Sequence, residues 1–121
     1  MKNTCSLNKN TWFKRLYYKG KKVQSPYFTL YFMKINNQSV NRLGFTVSTK
    51  LGKAVVRNRV RRHLYESFRK YESQLKVGYY MVVAAKHSAV GAEFQNICRS
   101  MGGVLKKADL FNNEEINCNG N

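Results

Sequence analysis

Lys50-Leu51-Gly52-Lys53-Ala54-Val55-Val56-Arg57-Asn58-Arg59-Val60-Arg61-Arg62-His63-Leu64-Tyr65-Glu66-Ser67-Phe68-Arg69-Lys70 interleaves apolar and cationic residues at a helical period. At about 100° per residue, Val56, Val60, Leu64, Phe68 and Tyr71 share one arc about a third of the circumference wide. That stripe predicts an amphipathic helix packed on a core. Arg59, Arg62, Arg69 and Lys70 cluster on the opposite side, while Arg57 and Arg61 sit on or beside the apolar arc. The placement of these two suggests a target other than bulk water.

Four arginines within residues 57–62 work against the helix that carries them. Cations near a helix N-terminus oppose the macrodipole by about 0.3–1 kcal/mol each, and like charges four apart repel by roughly a few tenths. A solvated basic face is the plain alternative. Because the cost recurs with no acidic partner, a bound polyanion that supplies the missing charge is the better reading.

On either side of this helix lie strand patterns. Residues 42–49 alternate Leu43, Phe45 and Val47 with Gly44, Thr46 and Ser48, which gives one packed and one freer face. Tyr79–Ala85 is a continuous apolar run, the mark of a strand buried on both sides. Strand, helix and strand in succession predict a βαβ unit. Upstream, Tyr27–Lys34 reads as another strand, with Phe28, Leu30 and Phe32 on one face and Tyr27, Thr29, Tyr31 and Met33 on the other. Asn36-Asn37-Gln38-Ser39 is turn chemistry, so this strand and the next are expected to pair as an antiparallel hairpin.

An aromatic helix with Trp12, Phe13, Leu16 and Tyr17 starts at a cap on Asn10 or Thr11 and stops at Gly20; residues 21–26 read as a connector. A last helix over about 92–108 carries a core stripe of Phe94, Ile97, Met101, Val104, Leu105 and Ala108. Gly102 and Gly103 interrupt it at roughly 1 kcal/mol each, which implies close backbone packing or a kink. The expected class is a single-domain α/β (α+β) sandwich in the order α-β-β-α-β-α. Its core unit spans 10–108, between a flexible basic arm at 1–9 and a disordered acidic tail at 109–121.

The 121 residues carry a formal charge of +16. Residues 1–65 hold fifteen Lys or Arg and no Asp or Glu; residues 1–108 hold 22 basic and 3 acidic residues, or +19. Such a charge points to nucleic acid, or secondarily to an anionic membrane surface. Cys5, Cys98 and Cys118 are odd in number and widely spaced, reading as reduced thiols and neither a disulfide framework nor a zinc site. With no apolar run of membrane-spanning length and no signal-peptide core, a soluble cytoplasmic protein is expected.

Hydrolysis by the protein itself would need metal-holding carboxylates or a histidine acid/base pair. Before the tail the only acids are Glu66, Glu72 and Glu93, and Glu66 is more simply an ion-pair partner among arginines. His63 and His87 belong to no ligand motif. No catalytic or metal-binding residue is assigned. Arginines and aromatic rings remain: Phe13, Tyr17 and Tyr31 either stack unpaired bases, at about 1–3 kcal/mol each, or fill the core.

The run from Arg42 to Arg62 closely resembles the bacterial ribonuclease P protein family. The resemblance rests on a strand ending Val47-Ser48-Thr49-Lys50, a turn through Gly52-Lys53-Ala54, then Arg57-Asn58-Arg59 followed by Arg61 and Arg62. Phe13, Tyr17 and Gly20, Phe28-Thr29-Leu30-Tyr31 and Tyr79–Ala85 extend it over about residues 7–110. Thr49, Tyr65 and Trp12 depart from the pattern, where relatives often carry lysine, arginine and an acid respectively.

The resemblance implies a left-handed βαβ crossover, against the usual rule. It implies a ribonuclease P subunit that binds the catalytic RNA subunit and the single-stranded 5' leader of precursor tRNA. In this reading the RNA carries out Mg2+-dependent hydrolysis, holds most of the Mg2+, and leaves a 5' phosphate on the mature tRNA. Lys50, Lys53, Arg57, Asn58, Arg59, Arg61, Arg62 and Arg69 would meet the RNA subunit; Phe13, Tyr17 and Tyr31, with Arg57 and Asn58, would line the leader cleft. No membrane and no obligate protein partner is expected. The alternative is a general RNA-binding or ribosome-associated protein without a catalytic RNA.

Overall fold

In the computed structural model, which describes residues 3–112, the chain runs β1 (Thr4–Ser6), α1 (Asn10–Lys19), β2 (Lys21–Gln24), β3 (Phe28–Lys34), β4 (Asn41–Thr46), α2 (Ala54–Arg69), β5 (Tyr79–Ala85) and α3 (Phe94–Lys107). The strands form one sheet in the order β1-β4-β5-β3-β2. The α/β class stands, with two strands beyond the expected three.

The expected hairpin does not form, because β5 lies between β3 and β4. It pairs antiparallel with β3, Phe28 opposite Ala85, and parallel with β4, Arg42 opposite Tyr80. A strand apolar on both faces loses least by taking the centre, and the connection over residues 35–40 is long enough to let it in. Asn41 fixes the join. Fully buried, its amide donates to the Lys76 carbonyl oxygen at 2.8 Å and accepts from the Tyr79 backbone N–H at 2.9 Å. A buried amide satisfied on both sides sets where β5 starts against β4.

β2 replaces the expected connector, pairing antiparallel with β3. Its turn is closed by Ser25, whose hydroxyl accepts from the N–H groups of Tyr27 and Phe28 at 3.1 Å. β1 replaces part of the expected flexible arm: Thr4, Cys5 and Ser6 run parallel to Asn41, Arg42 and Leu43, and Leu7 is buried. The buried Glu72, 4% exposed, accepts from the Asn3 N–H at 2.9 Å and the Thr4 hydroxyl at 2.7 Å, so it ties this strand to the chain beyond α2. At the other end, Leu110 is buried and Phe111 bridges to Leu75, so packing continues past residue 108. Residues 113–121, the rest of the expected acidic tail, lie outside the described residues.

Two layers flank the sheet. Phe28, Leu30, Phe32, Leu43, Met81 and Val83 face α2 and α3, meeting Val60, Leu64 and Phe68 of the apolar arc and Ile97, Met101 and Leu105. Burial of each large side chain contributes about 1.5–3 kcal/mol. On the other face Leu16 of α1 sits on Tyr80 and Val82, with Trp12 edge-on to Tyr80 at 4.6 Å between ring centroids. α1 starts after Lys9, with no side-chain cap from Asn10 or Thr11, and α3 starts after Glu93, two residues later than expected.

Candidate nucleic-acid interface

Gly44 decides the shape of the α1 side. A β-carbon there would lie 2.5 Å from Cζ of Phe13, so only glycine lets that ring rest on β4. One turn on, Tyr17 meets Tyr31 of β3 edge-on at 4.8 Å, and its hydroxyl hydrogen-bonds to that of Thr46. Phe13, Tyr17 and Tyr31 therefore share one face, and each keeps part of its ring surface accessible. Beside them, a groove of about 400 Å³ wraps the sheet edge and is lined by Phe13, Gly44 and Phe45 together with Arg61 and Tyr65 of α2. A ring from one layer and a guanidinium from the other thus border the same opening. Tyr65 stands where the resemblance led one to look for a further arginine; its ring meets Phe45 at 6.3 Å.

The turn into α2 runs through Gly52 at φ 140°, with the Ser48 hydroxyl accepting from the Lys50 N–H at 3.2 Å. Lys50 and Lys53 stand exposed there, outside both grooves. Arg57 folds back to donate to the Gly52 carbonyl oxygen at 3.1 Å. Arg61 donates to Asn58 Oδ1 at 2.9 Å, so Asn58 helps to orient it. On the other flank of α2, Asn58, Arg59, Arg62 and Arg69 line a groove of about 780 Å³ against α3. Arg69 is paired with Glu66 at 2.8 Å, the intrahelical partner the sequence suggested.

Several residues lining these grooves were not singled out as site residues from the sequence, and four of them bear on binding. His63, Lys70 and Phe94 line the α2/α3 groove, and Asn8 lines the sheet-edge groove. Phe94 read as core because it starts a helical stripe, yet it is only half-buried. Below the groove the Tyr71 hydroxyl donates to the Cys98 carbonyl oxygen at 3.1 Å; burial, and secondarily the Cys98 thiol, holds its pKa above the usual value. Among the described residues no three His, Cys, Asp or Glu side chains gather where they could hold a metal ion, and no helix is long and apolar enough to cross a membrane.

An α/β sandwich with a guanidinium-lined groove on one layer and a glycine-seated aromatic cleft on the other places the chain among small, strongly basic single-domain α/β proteins. The family profile for ribonuclease P matches residues 1–109. A ribonuclease P protein component of Caldanaerobacter subterraneus subsp. tengcongensis is 43% identical over 109 residues, which are 90% of this chain and 93% of the relative. One from Clostridium perfringens is 36% identical over 117 residues, 92% and 94%. Among solved structures, the Staphylococcus aureus RNase P protein matches with a TM-score of 0.80 at 34% identity, covering 88% of this chain and 97% of that one. The Thermotoga maritima protein matches with a TM-score of 0.75 at 27% identity, covering 84% and 96%. The chain belongs to the ribonuclease P protein family, and its function is that of a protein component of this tRNA-processing ribonuclease.

Proposed function

We propose that this subunit binds the catalytic RNA of ribonuclease P through the arginine flank of α2 and the single-stranded 5' leader of precursor tRNA across the α1 face. The observation that carries the reading is the sheet-edge groove, where Phe13 and Arg61 border one opening. A single strand laid over Phe13, Tyr17 and Tyr31 stacks its bases on the rings and brings its phosphates to Arg61, the combination that holds unpaired nucleic acid with little sequence preference. A duplex, its bases already stacked, gains nothing from the rings. Arg59, Arg62 and Arg69 line the other groove and are assigned to the RNA subunit, together with the exposed Lys50 and Lys53 at the turn into α2. Asn58 lines this second groove while accepting from Arg61 of the first, and Arg57, at the start of α2, lines neither.

Phosphodiester hydrolysis is assigned to the RNA. The Mg2+ of the reaction is assigned to the RNA partner, and no catalytic side chain is named. The work is expected to take place in the cytoplasm.

Reconstitution tests the proposal. Added to a ribonuclease P RNA at low Mg2+, the protein is expected to stimulate release of the leader from precursor tRNA, and to bind the precursor more tightly than the mature tRNA. No stimulation, with tight binding to unrelated RNAs, would instead support a general RNA-binding protein. Cleavage by the protein alone would refute the assignment of catalysis to RNA.

A further inference from the structure

We propose that the groove between α2 and α3 receives one unpaired nucleotide bulged from a folded RNA, its base stacked on Phe94 and its flanking phosphates held by Arg59, Arg62 and Lys70. The inference rests on the RNA-binding reading above and adds a second base site, on the opposite layer of the sheet from Phe13, Tyr17 and Tyr31.

Phe94 heads a helix whose next inward residues, Ile97 and Met101, are fully buried, yet its own ring is left half-buried in the groove wall. An aromatic ring among four cations is not placed there to fill a core. The His63 ring meets it edge-on at 5.6 Å, and the Lys70 ammonium lies 5.5 Å from its centroid. A cation over a ring marks a π-face that approaching groups can reach. A base would take that face, leaving the ammonium to pair with the phosphate that arrives with it.

Charge selects the occupant. The groove's one carboxylate, Glu66, is engaged by Arg69, and no carboxylate among the described residues pairs with Arg59, Arg62 or Lys70. Three unpaired cations around one ring suit a polyanion that also offers a flat apolar face. An unpaired nucleotide has both, whereas a base inside a helix has its faces covered. The volume of about 780 Å³ suits a single nucleotide, since sites for small organic ligands span about 300–1,000 Å³. One ring makes it a site for one base.

The test uses the full chain and two hairpin RNAs with the same stem, one fully paired and one carrying a single bulged 2-aminopurine. The wild type is expected to bind the bulged hairpin about 5-fold or more tightly than the paired one, the range that base–aromatic stacking supports, and to quench the 2-aminopurine. Phe94→Ala should abolish both the preference and the quenching without changing the salt slope, because no phosphate contact is lost. Phe94→Leu keeps the volume but not the π-face; it should behave the same way while folding normally. Phe94→Trp should retain the preference. Equal binding of the two hairpins by the wild type would overturn the proposal. So would a preference that survives Phe94→Leu but is lost in Tyr17→Ala, since the base would then lie in the α1 cleft. Failure of the wild type to stimulate a ribonuclease P RNA counts against the reading under Proposed function, whereas a wild type that stimulates it yet ignores the bulge counts against this inference alone.

Discussion

Adjacent glycines of α3 experience opposite surroundings. A β-carbon on Gly102 would meet the Tyr71 hydroxyl oxygen at 2.7 Å and Cζ at 2.9 Å, while one on Gly103 would meet nothing within 4 Å. Tyr71 cannot easily withdraw, being hydrogen-bonded to Cys98 and packed edge-on against Phe111. Gly103→Ala should therefore stabilise the protein by about 0.5–1 kcal/mol through helix propensity. In Gly102→Ala that gain is set against overpacking of about 1–3 kcal/mol, for a net loss. Urea denaturation of the two variants checks this, and equal shifts would contradict the crowding at Tyr71. Gly44→Ala carries the same logic into the site. With Phe13 atoms at 2.5 and 2.8 Å, the ring must leave β4, and the ratio of precursor to mature tRNA affinity should fall. A ratio that holds would place the leader away from Phe13.

At the scale of elements, α2 does two jobs with one period. The angular positions that put Val60, Leu64 and Phe68 on the sheet put Arg59 and Arg62 into one groove and Arg61 beside Phe13 in the other. That division was legible because it needs only the arithmetic of a helix. Arg59→Ala and Arg62→Ala should each weaken binding to the RNA subunit and reduce the log–log salt slope by about one unit per lost phosphate contact. Arg69→Ala, already paired with Glu66, should change it less; an unchanged slope in the first two would move them off the RNA.

β1 and β2 were not legible, because Thr4-Cys5-Ser6 and Lys21-Lys22-Val23-Gln24 are too short and too polar to carry a period, and they exist through partners distant in the chain. The place of β5 was hidden for a related reason: hydrophobicity shows that a strand is buried, not which neighbours bury it. Phe94 illustrates the limit within a helix, since in a first turn the same spacing serves a core and a groove wall.

The whole molecule is a small core inside a shell of uncompensated positive charge. With 22 basic and 6 acidic residues and two ion pairs among the described residues, self-repulsion acts across the entire surface. Multivalent anions should relieve it. Sulfate or phosphate should raise Tm more than chloride at equal ionic strength, by several degrees if about 1 kcal/mol of repulsion is removed, since that shifts Tm by about 4–8 °C in a domain near this size. Differential scanning fluorimetry across the three salts would show it, and a flat Tm would mean the charges are too far apart to matter.

Only three residues of β1 cover the flank of β4, and beyond the backbone pairing itself one carboxylate, Glu72, ties them down. Proteolytic clipping ahead of Leu7 would strip that cover and leave the Asn41–Leu43 backbone as an open template. Open sheet edges recruit other chains. A nicked preparation would then self-associate through β4 in a manner unrelated to RNA, by a route that β1 closes in the intact protein.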